Sequence, residues 1–354
     1  MEPVHAADAR LWQEIAEQPA VLSAAARRTA AVAELGRRLW ASPRPLAVLA
    51  ARGTSDNAAI YAKYLIEVFL GTPVALAAPS VYTLYGGRVR LDGAVLVALS
   101  QSGASPDLVR VVEEGRRAGA VTVAVVNRVD SALAAAAEHV VDVGAGAEES
   151  VAATKSFTAQ LLTLAQFILG AAGGSEAAAA MAALDRVGPA AAQALTLAPS
   201  VEDWAVRAAS GWRSAYVVGR GFAFPVALEI ALKMKEMASV LADGYSAADV
   251  RHGPIALRGE DLPFVVIGGS GRARDDLLSL VRQAHDGASP TVALTDDDEV
   301  ADAADTAFRL AHLPEALAPI PAAVLGQVVA YALARARGTH PGEPEGIHKV
   351  TRTL

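Results

Sequence analysis

Along this chain, short apolar runs rich in Val, Leu and Ala alternate with longer stretches whose apolar residues recur every three to four positions. The runs fall at 46–51, 73–78, 94–99, 121–126 and 140–143, and again at 216–219, 263–268, 291–295 and 308–310. Runs this short, with little internal alternation and with helical patterns between them, predict parallel strands buried on both faces by helices. The expected fold class is therefore α/β.

The two sets of runs are related. A shift of 168 positions places Arg52-Gly53 on Arg220-Gly221, and the same shift places Leu99-Ser100-Gln101-Ser102-Gly103 on Ile267-Gly268-Gly269-Ser270-Gly271. One inserted residue later, VTVAVVNR from Val121 lies over PTVALTDD from Pro290. Three matches in order at a nearly constant offset predict a duplicated domain. The expected division is a helical segment over 1–40, a first domain over 41–170, a helical connector over the alanine-rich 171–200, a second domain over 201–338 and a tail over 339–354. A length of 354 residues suits two cores of ordinary size.

Composition narrows the function. The 38 acidic residues outnumber the 31 basic ones, leaving a net charge of −7 with no block of Lys or Arg, so no nucleic-acid or anionic-membrane surface is indicated. The absence of cysteine excludes disulfides, thiolate nucleophiles and cysteine metal sites. The amino terminus lacks a basic region followed by an apolar core, and no apolar run approaches the ~20 residues of a membrane span, so a cytoplasmic protein is expected. No spacing of His, Asp and Glu suggests a metal site, and no cofactor is required.

Two segments carry candidate chemistry. After the third strand come Ser100, Gln101, Ser102 and Ser105, and ligands of open parallel sheets bind beyond the carboxyl ends of the strands. Hydroxyls, an amide and the first backbone N–H groups of the next helix, near Asp107 and Leu108, would cradle a phosphate without a basic residue. The same Ser and Gly residues also fit a helix start that simply caps itself. Thr54 and Ser55 stand at the end of the neighbouring strand, whereas the second copy offers Gly268, Gly269 and Ser270 in place of the first copy's hydroxyls.

The other segment runs over 227–254. Glu229, Lys233 and Glu236 share one helical face within an otherwise apolar run, where charges need partners or a task. His252 follows in a loop before Gly253 and Pro254, and an imidazole titrates near neutral pH. Read separately, the Glu–Lys spacing also fits surface decoration and the histidine a solvated loop residue.

Together these motifs resemble the sugar isomerase family, in particular the double-domain isomerase half of glucosamine-6-phosphate synthase and the stand-alone aminosugar-phosphate deaminases. The likeness runs through ARGTSDNAAIYAKYLIE from Ala51, LSQSGASPDLV from Leu99, EESVAATKSFTAQL from Glu148, GRGFAFPVALEIALKMKE from Gly219, RHGPIAL from Arg251 and KVTRTL from Lys349. It implies two tandem flavodoxin-like domains, each an α-β-α sandwich. By this resemblance Ser100, Gln101, Ser102, Ser105 and Thr54 hold a sugar phosphate, and Ser55 and the backbone around Val151 face the sugar. Glu236 matches the acid/base that moves a proton between C1 and C2, and His252 the histidine that assists ring opening. Lys349 matches a lysine that forms an imine with the ketose in the synthase; Glu229 and Lys233 match supporting residues. The resemblance further implies a homodimer whose active site is shared between subunits, within a cleft between the two domains.

Departures from the synthase pattern include Ala104 in place of an acid and Ala153 in place of a serine. With neither the length nor a cysteine for a glutaminase domain, and with a tail closer to that of the deaminases, the expected substrate is a phosphorylated aminosugar or ketose phosphate. The expected reaction is conversion of glucosamine 6-phosphate and water to fructose 6-phosphate and ammonia. A fructosamine-6-phosphate deglycase and a galactosamine-6-phosphate deaminase share the scaffold and remain alternatives. A non-catalytic sugar-phosphate sensor is the alternative of a different class.

Overall fold

The computed structural model describes residues 5–209, 211–347 and 349. Two parallel five-stranded sheets carry the fold. The first comprises β1 (Ala47–Ala50), β2 (Val74–Leu76), β3 (Val95–Ser100), β4 (Val121–Val126) and β5 (His139–Asp142), ordered β2-β1-β3-β4-β5. The second comprises β6 (Ser214–Gly219), β7 (Leu241–Ser246), β8 (Phe264–Ile267), β9 (Thr291–Thr295) and β10 (Thr306–Arg309), ordered β7-β6-β8-β9-β10. Both are the flavodoxin-like order 2-1-3-4-5, with helices between successive strands. The expected fold class and the duplication are thus present.

The equivalence extends to the backbone. Gly53 and Gly221, which the 168-residue shift superposes, follow β1 and β6 with φ of 54° and 58°, a left-handed turn that glycine adopts without steric cost. β3 is buried along its whole length and β4 nearly so, because helices cover both faces. Leu96, Ala98, Val111, Val126 and Leu133 form the core beside the first sheet; Val218, Phe264, Val266, Val281 and Val300 form the corresponding core of the second.

One strand contradicts the sequence reading. The LADGYS segment, which lies outside the predicted apolar runs, is β7, an edge strand paired to β6 with Ser214 opposite Leu241. It has no β-branched residue and contains Asp and Gly, both poor strand formers, so only its tertiary pairing makes it a strand. Gly244 is needed there, since a Cβ would lie 2.8 Å from the Leu228 Cα of the helix that follows β6.

The chain packs into two compact units that are discontinuous in sequence. One contains residues 5–23, Glu149–Thr158 and Asp185–Ile347; the other contains Ala24–Glu148, Ala159–Leu184 and Lys349. The alanine-rich stretch is helical, with helices Ser175–Ala182, Val187–Leu195 and Ala198–Ala208, and the unit boundary falls inside it. Most of the expected tail end, residues 348 and 350–354, lies outside the described residues. In the first unit the helix Pro319–Ala336 packs on the helix Phe224–Ala238, closely enough that a Cβ on Gly326 would fall 1.9 Å from Ile230 Cδ1. Among the described helices it alone has the length and apolarity to cross a bilayer, yet 89% of its span is buried inside the protein, as in a core helix.

Candidate active site

In the unit holding the first sheet, Ser100 closes β3 and accepts a hydrogen bond from the Gly103 N–H at 3.0 Å, folding the loop back on itself. Ser102 Oγ accepts from the Ala104 N–H at 3.3 Å. Both hydroxyls thereby use a lone pair while their O–H groups remain available to donate to an anion. Ser105 stands at the N-cap of the helix Pro106–Arg117 but makes no side-chain capping bond, so its hydroxyl is not consumed by the helix start. Gly103 makes the turn possible: its φ is 60°, and a Cβ would lie 2.1 Å from Ser131 Oγ.

One part of the expected cradle differs. The Leu108 N–H is not open to a ligand, because Asp107 Oδ1 accepts it at 2.9 Å. The other oxygen of Asp107 is held by Arg52, at the end of β1, which donates from Nε to Oδ2 at 2.8 Å. Asp107 is buried and Arg52 half exposed, so this pair ties the β1 end to the start of the helix after the Ser100–Ser105 loop. Burial raises the pKa of nearby Asp56, and Arg52 partly offsets that rise. Thr54 begins the helix Thr54–Leu70, and Ser55 is buried, its Oγ accepting from Gln160 Nε2 at 3.0 Å.

The same unit gives Lys349 a partner that sequence spacing did not reveal. Its Nζ lies 3.3 Å from Oε2 of Glu148, a carboxylate with a fully buried side chain.

In the other unit, the helix Phe224–Ala238 places its three charges together. Lys233 Nζ lies 2.5 Å from Glu236 Oε2 and 3.3 Å from Glu229 Oε1. Burial of Lys233 disfavours its charged form, but Glu229 and Glu236 together outweigh that effect and raise its pKa above the ordinary lysine value. The ammonium therefore stays charged between two carboxylates. Glu229 is wholly buried, whereas the Glu236 side chain is 22% exposed and is the member open to solvent.

His252 ends the short helix Ala247–Arg251 and is exposed. Among the described residues no hydrogen bond joins its imidazole to the Glu229–Lys233–Glu236 group. Val151 is half-buried, and the backbone beside it is held by Glu14. That buried carboxylate accepts the Glu149 N–H at 2.5 Å and the Ser150 N–H at 3.3 Å. Glu14 was not a candidate from sequence; the acid-rich run QEIAEQP around it was the available signal. Lys155 in the same unit is a structural charge, buried and paired with Glu17 at 2.5 Å.

The second copy of the loop is closed by its own residues. Asp296, which the duplication aligns with Asn127, accepts both the Ser270 N–H at 2.9 Å and the Ser270 hydroxyl at 2.5 Å. A carboxylate thus occupies both donors of Ser270. The cavity there measures only about 30 Å3, room for a water or two and not for a sugar.

Two flavodoxin-like sheets in tandem, with a hydroxyl-rich loop in one copy and a buried acid–lysine–acid group beside the other, define a duplicated α/β protein with its polar chemistry divided between the copies. Residues 44–170 and 210–336 each match the SIS domain, and the chain belongs to that family. It is 33% identical over 304 residues to the glutamine–fructose-6-phosphate aminotransferase (isomerizing) of Pyrococcus horikoshii, covering 85% of this chain and 51% of that protein. The counterpart from Symbiobacterium thermophilum is 32% identical over 309 residues. The chain thus spans about half the length of these relatives. Among solved structures it is similar to the C-terminal domain of the Francisella tularensis glucosamine-fructose-6-phosphate aminotransferase, with a TM-score of 0.85, 25% identity and coverage of 95% and 98%. The fold is shared with a glucosamine-6-phosphate deaminase from Thermotoga maritima, with a TM-score of 0.73, 18% identity and coverage of 97% and 100%.

Proposed function

We propose that this protein is an aminosugar-phosphate deaminase/isomerase that converts glucosamine 6-phosphate and water to fructose 6-phosphate and ammonia. The observation that carries the reading is Glu236, a partly exposed carboxylate held 2.5 Å from a buried, charged lysine. Such a group can take and return a proton while its helix keeps it in place.

In this reading Ser100, Gln101, Ser102, Ser105 and Thr54 hold the phosphate, and Ser55 and the Val151 backbone contact the sugar. His252 moves the ring-opening proton. Glu236 then removes the proton from C2 of the open-chain aminoaldose, leaving an enolamine, exchanges it with solvent through its exposed edge and delivers a proton to C1. The product is a C2 ketimine bearing the substrate's own nitrogen, and water adds to it and expels ammonia. Lys349, paired to Glu148, stabilises the negative charge that develops at O1; an imine with the enzyme is optional in this direction, because the substrate already supplies the nitrogen. Glu229 and Lys233 keep Glu236 in place. By the family resemblance the exposed His252 serves the site of the neighbouring subunit in a homodimer.

The test incubates the purified protein with glucosamine 6-phosphate, galactosamine 6-phosphate and a fructosamine 6-phosphate, measuring ammonia and the sugar formed. Ammonia and fructose 6-phosphate from the first substrate are expected. Binding without turnover of any of them would replace the enzyme by a sensor.

A further inference from the structure

The chain has seven histidines and no cysteine, and two of the histidines converge on one buried carboxylate. Asp8, in the first turn of the helix Ala6–Ala16, is fully buried. His340 Nδ1 lies 3.3 Å from Asp8 Oδ2, and the His5 and His340 rings stand 5.0 Å apart, tilted by 44°. One ligand-capable atom from each of the three falls within 4.8 Å of the other two. Glu343 Oε2 is 3.8 Å from His5 Nε2. We propose that His5, Asp8 and His340 bind a divalent transition-metal ion of the zinc type, with Glu343 or a water as fourth ligand.

The donor set is the borderline nitrogen and oxygen mixture that zinc prefers, and imidazole binds it in the neutral form. Tetrahedral zinc, with bonds near 2.0–2.1 Å, separates its ligand atoms by about 3.3 Å. The His340–Asp8 pair already has that separation. Closing the third side takes only a shift of His5 or His340, whose side chains are 43% and 60% exposed and free to turn.

The carboxylate itself does not need to move. The Gly342 N–H donates to Asp8 Oδ1 at 2.9 Å, an outer hydrogen bond that orients a ligating carboxylate, while Arg335 donates to Oδ2, the oxygen that faces His340, at 3.0 Å. Arg335 is the opposing charge in the cluster. It balances Asp8 in the metal-free protein, and with its side chain 39% exposed it can withdraw to an outer position as the ion enters. The ion would fasten the first helix to the loop after the helix Pro319–Ala336, stabilising the folded chain in proportion to its occupancy.

The experiment titrates Zn2+ into the metal-stripped full chain by calorimetry and records the visible spectrum with Co2+. One ion per chain with a Kd of about 10 μM or tighter is expected, together with an intense tetrahedral cobalt spectrum. His5→Ala and His340→Ala should each weaken binding by about tenfold or more. His285→Ala and His312→Ala, which alter exposed histidines beside Asp305 and Asp296, should leave it unchanged. Both ligand variants alter half-exposed side chains, and an unchanged circular dichroism spectrum separates lost binding from lost fold. Wild-type binding retained in His340→Ala, loss of binding in His312→Ala, a weak octahedral cobalt spectrum, or no saturation below about 1 mM would each overturn the site and leave a hydrogen-bonded tie.

Discussion

Replacing Lys233 by methionine removes the ammonium that stands between Glu229 and Glu236 while keeping most of the side chain's length. Glu229 is wholly buried and Glu236 mostly so, and water cannot take over the lysine's role at Glu229. Breaking one partner out of a buried ionic group costs about 3–5 kcal/mol, most of it the uncompensated charge left behind. With a urea m-value of about 2–3 kcal/mol/M, that loss lowers the unfolding midpoint by about 1–2 M. The double variant Lys233→Met/Glu229→Gln removes the stranded charge and should recover more than half of the loss. The sign with pH follows from the raised Lys233 pKa: its contribution is fully present below the unfolded value of 10.5 and is lost as pH rises through the folded value. Wild-type stability should therefore fall at strongly alkaline pH by more than that of the methionine variant. An unchanged midpoint in Lys233→Met, or a double variant no more stable than the single one, would refute the reasoning.

Other substitutions probe the rest of the account. Gly326→Ala puts a methyl 1.9 Å from Ile230 Cδ1 between two core helices, so thermal unfolding should show a loss of about 1–3 kcal/mol. Gly103→Ala forces a left-handed residue against Ser131 and should raise the KM for glucosamine 6-phosphate by far more than it changes secondary structure measured by circular dichroism. Glu14→Gln weakens the hold on the Glu149 and Ser150 amides; steady-state kinetics should show a raised KM, with urea unfolding shifted by only about 1–2 kcal/mol.

Much of the fold was legible because buried parallel strands are continuous apolar runs, and β1, β3, β4, β8 and β9 are of that kind. β7 was not, since a polar edge strand acquires its conformation from β6 and leaves no local pattern. The Glu229–Lys233–Glu236 group was legible from helical spacing, and its burial from the apolar residues around it. Contacts between distant parts of the chain were not. Glu148 and Lys349 are 201 positions apart, and His340 and Asp8 332 apart, so neither pair produces a local motif. The occupied Leu108 amide escaped notice for the opposite reason, because Asp107 bonds to its immediate neighbour and a sequence does not show which acceptor an amide finds.

The central claim is that Glu236 moves the proton between C2 and C1. The most direct measurement follows glucosamine 6-phosphate in D2O by proton NMR while ammonia is assayed in the same sample, for the wild-type protein and for Glu236→Gln. The wild type should place deuterium at C1 of fructose 6-phosphate as ammonia appears. Glu236→Gln should bind the sugar phosphate but exchange and deaminate it about 10²–10⁴-fold more slowly. Undiminished exchange in Glu236→Gln would contradict the account.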